Sequence, residues 1–254
     1  MSPVDKWLAI PQPVTNARLN LLTLPYAGSG ATIFYKWAKP LAVHGIQLAP
    51  IMLPGRESRL GEPLYRDVKR LANDLAEALA PVASKPWALY GHSMGAVIAY
   101  EFLCALRDQG LPGPQHLFVS GRNAPNFPWK LGDMDALSDA EFIEKINHMF
   151  GAIPDSVKNS PELLEIFVPI LKADFALLEK YDFEASTALE CPISVLDGID
   201  DDWTQSEKIH AWKNFTTQSF DYQVFEGDHF FIQSMTDEVI QHMVARLSAS
   251  TLSP

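Results

Sequence analysis

Only two cysteines, Cys104 and Cys191, stand among 254 residues. That scarcity argues against a disulfide framework, and neither cysteine has metal-ligand spacing. Cys104 falls in an apolar run and Cys191 opens a strand-like segment, so both are expected to be reduced core residues, as in a cytoplasmic protein. No apolar run reaches the roughly 20 residues that span a bilayer. The opening Met1-Ser2-Pro3-Val4-Asp5-Lys6-Trp7 carries no apolar signal core, so secretion is not indicated. Positive charge is also in short supply: 20 Lys and Arg face 31 Asp and Glu, a net charge of −11. This balance argues against nucleic acid and anionic membrane surfaces as partners. Repeats, low-complexity tracts and an obvious linker are missing too.

What is present suffices for one large α/β domain over residues 1–254, with 47% hydrophobic residues for its core. Strand-like segments are Leu19–Leu24, Ile46–Met52, Trp87–Tyr90, His116–Ser120, Pro192–Leu196 and Tyr222–Phe225. Val68–Ala80 has apolar residues three and four apart, the helical period. Strands alternating with helices predict a mostly parallel sheet covered by helices on both faces. Residues 125–185 break the rhythm. They hold two predicted helices, Asp139–Phe150 and Glu162–Tyr181, the second with a kink expected at Pro169. A helical insertion between two strands reads as a lid over an active site; ordinary core helices are the competing reading.

The sharpest local signal is Gly91-His92-Ser93-Met94-Gly95. It sits between the apolar Trp87–Tyr90 and the helical run from Ala96 to Leu103. Strand, Gly-x-Ser-x-Gly and helix make the nucleophile elbow of the α/β-hydrolase fold, with Ser93 exposed at the sheet edge. The alternative is a surface turn with an inert serine. A serine hydroxyl needs an adjacent base. In this fold the acid and then the histidine follow the serine in the chain. His210 and His242 fall on predicted helices, whereas His229 lies in Gly227-Asp228-His229, a loop past the last strand, and is the candidate base. The acid belongs in the loop Leu196-Asp197-Gly198-Ile199-Asp200-Asp201-Asp202. In hydrolases this loop commonly reads Gly-x-x-Asp, which selects Asp201, with Asp200 as competitor. EF-hand spacing is absent there, so no metal is expected. For the oxyanion, the loop Pro25-Tyr26-Ala27-Gly28-Ser29-Gly30 offers the Ala27 amide, paired with that of Met94. A phosphate cradle fits poorly, because Gly-x-x-x-x-Gly-Lys-Ser/Thr is missing.

With these residues in hand, the chain resembles the discrete type II thioesterases of polyketide and nonribosomal peptide assembly lines. The likeness rests on Leu24-Pro25-Tyr26-Ala27-Gly28, Leu53-Pro54-Gly55-Arg56-Glu57-Ser58-Arg59, the elbow, Leu171-Lys172-Ala173-Asp174-Phe175 and Gly227-Asp228-His229-Phe230-Phe231. Ser29 and Asp197 stand where that family usually has glycine, and Asp202 where it has proline. The resemblance implies hydrolysis of acyl groups from the phosphopantetheine arm of acyl carrier or peptidyl carrier domains, without a dissociable cofactor. The lid would gate an apolar chamber, with Phe167 and Phe175 as candidate substrate contacts. A monomer is expected. Arg56, Arg59, Arg66, Lys69 and Arg70 form the most basic cluster, either a docking spot for the carrier or an ordinary solvated face. A general carboxylesterase or acyl-CoA thioesterase would use the same residues. A non-catalytic binder on this scaffold would need none of them.

Overall fold

The computed structural model describes residues 3–249 except 152 and 154. After a short helix α1 (Pro3–Trp7) the chain enters strand β1 (Leu19–Leu24), then helix α2 (Ala38–Ala42) and strand β2 (Ile46–Pro50). Helix α3 (Val68–Leu79), strand β3 (Trp87–His92), helix α4 (Met94–Asp108) and strand β4 (Leu117–Ser120) follow. Between β4 and strand β5 (Ile193–Gly198) the described elements are helices only: α5 (Asp139–Phe150), α6 (Asp155–Lys158) and α7 (Pro161–Glu179). The chain closes with α8 (Ser206–His210), strand β6 (Phe220–Phe225), α9 (Phe231–Ser234) and α10 (Thr236–Ala249).

The six strands form one sheet in the order β2-β1-β3-β4-β5-β6, and every neighbouring pair is parallel. Side chains alternate across a strand, so each strand feeds two cores. Leu22, Leu24, Leu89, Val119 and Val195 pack on one face with α3 and α4, while Leu19, Leu21, Ala88, Tyr90 and Phe118 pack on the other with Trp37, Leu41 and Met243. The strand order reverses between β1 and β3. Parallel sheets open a crevice at the carboxyl ends of the strands beside such a reversal.

Some boundaries differ from the sequence reading, mainly where contacts across the chain set them. Strand β2 stops at Pro50 because Ile51 turns to bridge Leu8 and the Met52 amide donates to the Trp7 carbonyl. Strand β6 starts earlier than expected, at Phe220. It is an edge strand whose Asp221, facing His242 and Arg246 of α10, breaks the apolar run after Phe220. Helix α7 runs unbroken through Pro169. The starts of α5 and α7 follow capping chemistry: Ser138 and Glu141 form a capping box, and Ser160 caps α7 ahead of Pro161.

Candidate active site

The turn after β3 depends on its two glycines. A Cβ on Gly91 would lie 2.3 Å from the Gly95 carbonyl oxygen, and one on Gly95 2.2 Å from that of Leu24. Ser93 takes φ 53° and ψ −109°, a conformation that L-residues rarely hold. Its amide donates to the Ser120 carbonyl at 2.8 Å, tying the turn to the end of β4. Met94 begins α4, so its N–H has no acceptor within the helix.

Three loops then converge. The His229 imidazole follows β6, with Nε2 2.9 Å from Ser93 Oγ. Its Nδ1 is 2.7 Å from Asp201 Oδ2, in the loop after β5. A carboxylate only accepts, so Nδ1–H donates to Asp201 and Nε2 is left to take the serine hydroxyl. All three residues are buried. Asp201 Oδ1 accepts the Trp203 amide at 2.9 Å, which aims the other oxygen at the histidine. Asp200 and Asp202 are exposed to solvent. His210 and His242 sit on helices away from Ser93, His242 against Asp221.

Sequence reasoning missed the surroundings of the imidazole. His92 lies beneath it with ring centroids 5.2 Å apart, and its Nδ1 is 2.8 Å from Ser120 Oγ. Burial holds His92 well below the usual histidine range, so it stays neutral. Gly121, at φ +58°, leaves room for both rings: its Cβ would sit 2.8 Å from His92 and 3.3 Å from His229. Phe150 and Trp129 flank His229 from the 125–185 segment. Nor did the sequence show that Asp197, at the start of the acid loop, is buried. Burial, and next the charge of Asp201, push its carboxyl up to about 7.

Ser93 and His229 open onto a cavity of about 170 Å³. Tyr26, Ala27, Gly28 and Ser29 form one wall, and Phe230 with the 125–185 segment supplies the apolar remainder. Phe167 and Phe175 both line it, together with Leu171. These three are four residues apart and share one helix face. Leu163, on the same helix, is exposed and does not line the cavity. Trp129, Ile146, Phe150 and Ile153 also line the cavity. The apolar spacing of Phe142 and Ile146 marked that face of α5, but nothing local marked Trp129.

The basic cluster is corrected. Arg56 and Arg59 are buried, Arg56 against Asp174 and Arg59 between Glu62 and the Trp7 ring. Arg66 and Lys69 pair with Asp135 and Glu184. Arg66 and Arg70 remain exposed and Lys69 half-buried, so only these three of the five reach the surface, two of them already paired with acids.

The Thioesterase domain family matches residues 20–247. The chain belongs to that family. The gramicidin S biosynthesis protein GrsT of Aneurinibacillus migulanus is 34% identical over 247 residues, which are 97% of this chain and 96% of GrsT. The RedJ thioesterase from the prodiginine pathway of Streptomyces coelicolor superposes with a TM-score of 0.84 at 33% identity, over 93% of this chain and 94% of RedJ. The type II thioesterase BorB from the borrelidin cluster gives 0.84 at 29% identity, over 97% and 99%. The sheet and its flanking helices are the α/β-hydrolase fold of these thioesterases, and the family supports a hydrolase. Among the described residues no helix is long and apolar enough to cross a membrane.

Proposed function

We propose that this chain is a serine thioesterase that hydrolyses acyl groups from the phosphopantetheine arms of carrier domains, editing or unloading a polyketide or nonribosomal peptide synthase. The observation that carries the reading is the continuous chain Ser93 Oγ, His229, Asp201 opening into an apolar cavity. The assembly-line assignment draws on relatives named for gramicidin S, prodiginine and borrelidin biosynthesis.

In this reading Ser93 Oγ attacks the thioester carbonyl carbon while His229 Nε2 takes the hydroxyl proton. Charge on the carbonyl oxygen is met by the Ala27 and Met94 amides. The C–S bond breaks, and His229 returns the proton to the departing pantetheine sulfur. Water then loses a proton to His229 and attacks the acyl-serine. The ester C–O bond breaks, Ser93 regains a proton, and the free acid leaves. Asp201 keeps the imidazole in the working tautomer and stabilises the imidazolium formed in each half. Residues 125–185 act as a lid, and Phe167 and Phe175 contact the acyl group. A dry chamber limits water until the pantetheine arm has delivered its load.

The test is Ser93→Ala with acyl-carrier thioester as substrate. Turnover should fall on the order of 10⁴- to 10⁶-fold with the fold intact. A fluorophosphonate probe should label Ser93 in the wild type and nothing in the variant. Retention of more than about a tenth of wild-type turnover would remove Ser93 as nucleophile.

A further inference from the structure

Buried ion pairs are costly unless their geometry also satisfies neighbouring polar groups. Arg56 and Asp174 meet that condition in an unusual place. Arg56 lies in the loop after β2 and Asp174 on α7, and both are buried. The guanidinium grips the carboxylate with two prongs, Nη1 to Oδ2 at 2.7 Å and Nη2 to Oδ1 at 2.6 Å. Each partner also reaches the loop that carries Ala27. Asp174 Oδ2 accepts the Gly28 amide at 2.8 Å, and Arg56 Nη1 donates to the Ser29 carbonyl at 2.9 Å.

Ser29 passes the constraint on. Its amide and hydroxyl both donate to the Tyr26 carbonyl, at 3.2 and 2.7 Å. The Tyr26 carbonyl and the Ala27 N–H belong to one planar trans peptide, so they point in opposite directions. Holding the carbonyl aims the N–H. On the far side of the loop Glu57 accepts the Ala31 and Thr32 amides at 2.9 and 3.0 Å. Helix α7 itself presses on the loop: a Cβ on Gly28 would come within 2.6 Å of Leu171 and 3.2 Å of Phe167.

We propose that Arg56 and Asp174 are positioning residues for the Ala27 amide, acting through Ser29, so that seating of helix α7 and alignment of the oxyanion donor are one event. The inference rests on the reading of Ala27 as that donor. Movement of α7 away from the loop would take the Asp174 carboxylate with it and release the Gly28 and Ser29 contacts. A raised lid would then leave Ser93 and His229 in place but the oxyanion site misaligned.

The experiment replaces the pair with apolar residues, Arg56→Met with Asp174→Leu, in the wild type and in an Ala27→Pro background that lacks the donor. Apolar replacement of a whole buried ion pair is near neutral in itself, but the Gly28 amide and Ser29 carbonyl lose their partners, so the thermal midpoint should fall by no more than about 10 °C. Turnover of a small acyl thioester should nevertheless fall about 10²-fold, with KM changed less than about threefold. In the Ala27→Pro background the same double substitution should change kcat by less than about twofold, because the group it positions is gone. An equal loss in both backgrounds, or full kcat in the double variant, overturns the proposal while leaving Ser93 and His229 untouched. Full kcat in Ala27→Pro alone is a different failure: it removes Ala27 as donor, and the proposal with it. Should the double variant not fold, Ser29→Ala deletes one bond to the Tyr26 carbonyl with little packing change. A fall of about three- to tenfold in kcat at constant KM and thermal midpoint, absent in the Ala27→Pro background, supports the proposal; unchanged kcat overturns it.

Discussion

Four aspartates crowd the loop that ends β5, and each has a different fate. Asp201 turns inward to His229, Asp200 and Asp202 face solvent, and Asp197 is buried beside Asp201. Asp201→Asn should favour the wrong imidazole tautomer and lower kcat by up to about 10⁴-fold, as known for serine proteases. Asp200→Asn and Asp202→Asn should keep nearly full kcat; a crippled Asp200→Asn would reassign the orienting acid. The Gly-x-x-Asp spacing common to hydrolase loops pointed to Asp201, the aspartate that hydrogen-bonds His229. It gave no hint of Asp197, whose behaviour comes from tertiary burial. Its carboxyl is raised to about 7 from an ordinary 3.8, so the folded protein keeps a proton that the unfolded chain releases between those values. Stability contributed by this group is therefore full below about pH 4 and is lost as pH rises through about 7. Asp197→Asn should remove that loss. In urea unfolding the variant should gain on the wild type between about pH 4 and about pH 7, by as much as about 4 kcal/mol. Parallel stability curves would mean that Asp197 carries no extra proton.

Elements with a strong period or cap were legible from sequence, and those defined by distant partners were not. The ends of α5 follow from Ser138, Glu141 and a left-handed Gly151. The elbow follows from two glycines that close backbone approach requires. By contrast, α1 and the early end of β2 exist because they meet each other across the chain. The 125–185 segment was legible as helices, but its inner face was only partly so. Phe167, Leu171 and Phe175 reach the cavity, whereas Leu163 does not. Phe167→Asp should therefore raise KM for apolar acyl thioesters at least about tenfold, because a desolvated carboxylate is costly in such a wall. Leu163→Asp, on the exposed face of the same helix, should change KM little. Thermal unfolding of both variants checks that each is folded. Equal effects of the two substitutions on KM would show that α7 only packs.

At the scale of the whole molecule, charge decides how a carrier domain could be met. The net charge is −11. The cluster at residues 56–70 looked in sequence like relief from it. Linear spacing cannot show that Arg56 and Arg59 turn inside or that Arg66 and Lys69 already hold acidic partners. An open groove of about 740 Å³ beside them mixes Arg66 and Arg70 with Asp67, Asp74 and Glu77. Opposite signs this close cancel within a Debye length of about 8 Å at physiological salt. Any gain from the carrier must then come mainly from apolar contact and from delivery of a tethered arm. Such contact adds binding energy remote from the carbonyl and can raise kcat/KM. We expect acyl-carrier protein to exceed the matching acyl-pantetheine in kcat/KM. We also expect that ratio to shift by less than about threefold between low and high salt, where a steered ionic interface would lose far more. A ratio that collapses with salt would restore an electrostatic docking face. Equal kcat/KM for the two substrates would instead favour a general thioesterase or esterase acting on free small esters.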